Sequence, residues 1–114
     1  WCVVHESLLK DQKESVDLAL SRTGHIHARV GHQEGPQVTD PRAPEWQDAF
    51  RAHLAWWDEV VTLKNQKGEA ITILTEFGPP MYLPVVPYTQ QPLASQWDIN
   101  VYMLHFLRDR YQKK

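Results

Sequence analysis

Three short apolar runs, WCVV at 1–4, HIHARV at 25–30 and AITILTE at 70–76, are each followed by a stretch with helical spacing. That order restricts the fold more than any other property of the chain. Strand–helix repeated three times predicts parallel strands joined by right-handed crossovers, an α/β architecture. Two long loops, GHQEGPQVTDPRAP and FGPPMYLPVVPYTQQPLA, each follow a strand and precede a helix. In barrels and doubly wound sheets that edge is where sites are built. The first loop is about twice the usual length for an α/β connection, and the second holds five of the eight prolines.

The helices are read from spacing and end signals. SLLKDQKESVDLALSRTG puts Leu9, Val16 and Leu20 on one face, with Gly24 placed for a left-handed stop. PEWQDAFRAHLAWWDEVVTLKNQKG carries the clearest stripe, Trp46, Phe50, Leu54, Trp57 and Val61, with Pro44 in its first turn and Gly68 ending it. The last helix is expected to begin at SQWD, where Ser95 and Asp98 resemble a capping box. Its predicted buried stripe is Trp97, Val101, Leu104 and Tyr111.

Strand parity locates the chemistry. Side chains alternate between faces with period two. In HIHARV, Ile26, Ala28 and Val30 can pack under helices, which leaves His25, His27 and Arg29 facing the other way. In AITILTE, the same rule with Ile71, Ile73 and Thr75 toward the helices turns Glu76 to that same inner face at the end of its strand. An imidazole and a carboxylate so placed can bind a divalent metal. Each residue also has a plainer role. His25 reads as a core histidine or an outer partner that orients a ligand, and Glu76 as a site carboxylate or a helix-cap partner. Arg29 and His32 can contact an anionic or hydroxylated substrate, or form ordinary loop ion pairs. His53, Trp56 and Trp57 are expected to pack, and His105 to lie on the surface. His5 and Glu6 fall just beyond the first strand, on the functional edge. No phosphate-cradling glycine loop, Ser–His–Asp order or zinc-finger spacing occurs.

Composition narrows the classes further. A net charge of −2 and no basic cluster argue against nucleic acid. No apolar run nears the ~20 residues of a membrane span. Cys2 has no internal partner, which points to a reducing, cytoplasmic setting. The apolar opening WCVVHE has the character of an internal strand, so these residues are expected to belong to something longer.

HIHARVGHQEGPQVTDPRAPEW, TEFGPP and WDIN together resemble the C-terminal part of bacterial sugar phosphate isomerase/epimerase proteins of the xylose isomerase-like TIM-barrel superfamily. The resemblance runs over residues 1–114 and implies the last three strand–helix units of a (β/α)8 barrel. A complete barrel takes ~250 residues, so self-association or a complementary barrel fragment is expected to cover the open edges. In the ketose 3-epimerases of this superfamily Glu, Asp, His and Glu hold one divalent metal. The resemblance lands the His on His27 and the last Glu on Glu76, which is also a general base. The other two ligands would lie before Trp1, as would a substrate-binding His. Mn, Mg, Co or Zn is the cofactor expected of the longer protein, with none or a weakly held ion in these residues. The substrate implied is a sugar or sugar phosphate, with Arg29 and His32 as contacts. The chain departs from the pattern at Gln33, where those epimerases carry a substrate Arg. Two other readings stand beside it, a non-catalytic self-associating module and an endonuclease IV-like metal nuclease.

Overall fold

In the computed structural model, residues 8–112 are described. They form a mixed α/β arrangement of three helices and a two-stranded parallel sheet. The elements are α1 (Lys13–Ser21), β1 (His25–Ala28), α2 (Gln47–Lys67), β2 (Thr72–Thr75) and α3 (Gln96–Tyr111). The expected strand at 1–4, with His5 and Glu6, lies outside the described residues. No helix among those described is long and apolar enough to cross a membrane.

β1 and β2 pair in parallel with His25 opposite Thr72, Ile26 opposite Ile73, His27 opposite Leu74 and Ala28 opposite Thr75. The predicted parity holds. Ile26, Ala28 and Val30 have no exposed surface and sit in one core with Phe50, Trp57 and Val60 of α2 and Ile99 and Met103 of α3. Ile71 and Ile73 pack against the same core but stay partly exposed.

α2 runs as its periodicity predicts. Pro44 opens a single 3-10 turn that leads into it. Gly68 closes it at φ 67°, a left-handed conformation that costs a residue without a Cβ little. The N–H groups of Gly68 and Glu69 then donate to the carbonyls of Asn65 and Lys64, satisfying acceptors the helix leaves open. Phe50, Trp57 and Val61 are buried, while Trp46 and Leu54 are half-buried.

Three expectations are corrected. α1 begins only at Lys13, because Leu8 and Leu9 take positive φ angles of 51° and 58° and turn the chain before it. Gly24 does not supply a left-handed stop. The Thr23 hydroxyl instead donates to the Ala19 carbonyl at 2.8 Å, beside backbone bonds from Arg22 and Thr23 to Ala19 and Leu20. The buried stripe of α3 is Ile99, Met103 and Leu107; of the predicted residues Trp97 is 76% exposed and Leu104 exposed, Val101 is half-buried, and Tyr111 is half-buried against the core. Asn100, next to Ile99 on that helix, makes a polar contact described below. The Ser95 cap forms as predicted, its hydroxyl accepting from the Asp98 N–H at 3.2 Å.

Candidate functional site

The face of the sheet turned from the core carries His25, His27, Arg29, Thr72 and Glu76, with Leu74 among them. His25 Nδ1 lies 2.6 Å from the Thr72 hydroxyl, across the strand pair. The His25 ring meets the His27 ring edge-on, with centroids 4.9 Å apart. His27 Nδ1 is in direct contact with Glu76 Oε2. The other carboxylate oxygen of Glu76 is 3.7 Å from Arg29 Nη1. Arg29 in turn lies under the Tyr82 ring, 4.8 Å from its centroid. Imidazole, carboxylate, guanidinium and phenol are thereby brought to one corner by β1, β2 and the loop after β2.

The chain's own folding explains each placement. His27 is a strand residue, fixed by its ladder position and by the burial of Ile26 and Ala28 on either side. Glu76 is not in the strand. It follows Thr75, where the ladder ends, and the next two residues are held by side-chain amides. Asn100 Oδ1 accepts from the Phe77 N–H and Asn100 Nδ2 donates to the Phe77 carbonyl, both at 2.9 Å. Gln96 Nε2 donates to the same carbonyl at 3.0 Å. The buried Gln37, from the first long loop, accepts from the Gly78 N–H at 2.8 Å and donates to the Gly78 carbonyl at 3.2 Å. Peptide groups leaving a sheet toward the interior must find partners, and here carboxamides provide them.

The space around Gly78 favours glycine. A Cβ built there would come within 2.9 Å of the Tyr82 ring.

The exit of β1 is held differently. His53 is buried on α2, with Nδ1 2.8 Å from the Ala49 carbonyl and Nε2 accepting from the Gly31 N–H at 3.3 Å. Burial pushes its imidazole down to about 4, so it stays neutral and keeps Nε2 available as an acceptor. The expectation that His53 packs is met, with this added tether. Trp57 is buried beside it and Trp56 is half-buried.

His32 stands apart from this corner in its contacts. It sits in a tight turn with Gly35, its Nδ1 accepts from the Glu34 N–H at 3.3 Å, and its ring lies against Trp46. His105 is exposed.

As donors, the His27 imidazole on β1 and the Glu76 carboxylate just past β2 fit a divalent ion: a ring nitrogen and a carboxylate oxygen brought together by paired strands. The Arg29 guanidinium beside Oε1 leaves Oε2 as the oxygen directed to His27. Among the described residues no third His, Cys, Asp or Glu joins them to make a metal-binding group.

Gln37, Gln96, Asn100 and Tyr82 escaped the sequence reading as site residues. Gln37 and Asn100 do stand inside two of the stretches that carry the family resemblance, GPQV and WDIN. Comparison with family models, curated proteins and solved structures found no match for this chain.

Proposed function

We propose that the chain is the later part of a xylose isomerase-like (β/α)8 barrel, acting in metal-dependent isomerisation or epimerisation of a sugar or related polyol in the cytoplasm. The observation that supports this most is the meeting of His27 and Glu76 on one face at the C-terminal ends of adjacent parallel strands. That is where parallel α/β folds place their reacting groups. His27 and Glu76 would hold the divalent ion together with two ligands from strands preceding residue 1. When bound, such an ion would polarise a substrate carbonyl and the neighbouring hydroxyl, acidifying the proton on the carbon between them.

The remaining roles fall to side chains of this chain. Glu76 would accept that proton at its carboxylate, as general base on one face of the carbon. Arg29 holds Glu76 from the side away from His27 and, with the Tyr82 ring over it, forms a wall for a hydroxylated substrate. His25, touching His27 edge-on, helps orient it. His32 would reach substrate only from the first long loop.

Calorimetry with Mn²⁺ tests the reading. The 114-residue chain should bind the ion weakly and show no isomerase or epimerase activity, because an incomplete set of ligands binds poorly. Adding the preceding strands should raise affinity steeply, and His27→Ala should remove that gain. Tight binding that survives both His27→Ala and Glu76→Gln would place the site elsewhere and end the proposal.

A further inference from the structure

We infer that Asn100 and Gln37 are positioning residues for Glu76, an inference that deepens the proposed reading of that site and rests on it for its importance to catalysis. Glu76 lies past the end of β2, so the sheet does not fix its backbone. The peptide group that joins Glu76 to Phe77 sets the direction in which the Glu76 side chain leaves the chain. Its N–H donates to Asn100 Oδ1. The next peptide group is held from both ends. Its carbonyl, on Phe77, accepts from Asn100 Nδ2 and Gln96 Nε2, and its N–H, on Gly78, donates to Gln37 Oε1. The carbonyl of Gly78 closes the set by accepting from Gln37 Nε2.

Each amide spans an N–H and a carbonyl of one residue, as a neighbouring strand would. α3 and the first long loop thus extend the ordered edge of β2 by two residues, and Glu76 sits at its start. Phe77 is itself buried, in the core cluster. An orienting carboxylate in turn selects the tautomer of its imidazole. With Glu76 held, its Oε2 stays against His27 Nδ1 and favours the ring form that has a proton there. If Glu76 swings away, the ring loses that preference.

The test reads the imidazole ¹⁵N signals of His27 in the full chain, with every variant compared at one pH. Glu76→Gln gives the reference spectrum for a lost carboxylate contact. Asn100→Leu, which removes both of its bonds at similar volume, should move the His27 signals more than half of the way to that reference. Asn100→Asp keeps an acceptor for the Phe77 N–H and should restore the wild-type pattern, although it weakens the carbonyl contact. A merely structural Asn100 would lower stability in both variants and leave the His27 tautomer alone. Should Asn100→Leu not fold, Gln37→Met, in a loop, carries the same expectation of a smaller shift in the same direction. Wild-type His27 signals in the folded Asn100→Leu chain, or in Gln37→Met if only that folds, would overturn the inference. The measurement needs neither metal nor substrate, so a failure of the metal reading leaves its outcome untouched.

Discussion

β1 and β2 have the same length and pair along it, yet they are opposite in burial. β1 alternates half-buried and fully buried residues, with Ile26 and Ala28 at 0% exposure, whereas no residue of β2 is buried and Leu74 is 51% exposed. β1 is therefore secured by packing. β2 depends on its pairing with β1 and on what lies beyond its end. The exits differ as well: an imidazole tethers the chain after β1, carboxamides tether it after β2. The inner corner joins a residue placed by the core, His27, to one placed by polar contacts, Glu76.

The largest effect should come from testing the burial contrast directly. Ile26→Ala opens a cavity in a sealed site and should cost about 4 kcal/mol, against about 1–2 kcal/mol for Ile73→Ala, whose surroundings water already reaches. Urea denaturation of the two variants measures both. Equal costs would mean that β2 is as deeply supported as β1.

Acid should separate the two exits. Below an ordinary 6.5 the unfolded chain protonates His53, while the folded chain, held down to about 4, does not. Stability is therefore full above 6.5 and falls with pH until about 4, a loss of about 3 kcal/mol. Carboxamides do not titrate. Hydrogen-exchange protection at Gly31 should drop across that range well before protection at Phe77 and Gly78. Parallel loss at all three amides would show that the exits are not independent.

The smallest effect concerns the uncovered side of β2. A half-exposed Leu74 beside an edge strand invites association. Leu74→Lys should weaken self-association by about tenfold, from roughly 1.4 kcal/mol of lost apolar burial, as followed by light scattering across a dilution series. A wild-type chain that stays monomeric at micromolar concentration would remove the premise.

What the sequence disclosed follows the same division. Parity placed His27, Arg29 and Glu76 on one face because period two is visible in six or seven residues of alternating type. The spacing of Phe50, Trp57 and Val61 disclosed α2 for a similar reason, and Gly68 marked its end. The buried stripe of α3 was harder to read because two apolar sets, Ile99–Met103–Leu107 and Trp97–Val101–Leu104, share helical spacing on that helix. Large side chains such as Trp97 drew the stripe toward the wrong face. Thr23 stopped α1 by a hydroxyl bond that no composition rule signals. Gln37 and Gln96 were invisible for the same cause: an amide that satisfies a distant peptide group looks, in sequence, like any surface glutamine.

Position 78 shows how far a missing atom can act. The Tyr82 ring occupies the space that a methyl group at residue 78 would need, and from there it covers the Arg29 guanidinium. Alanine at this position would force the ring to move, opening the cation beneath it to water. A better-hydrated guanidinium attracts a carboxylate less, so Glu76 would be loosened by a change that never touches it. The absence of a side chain at residue 78 thus sets how closely a ring can lie over the cation that faces Glu76.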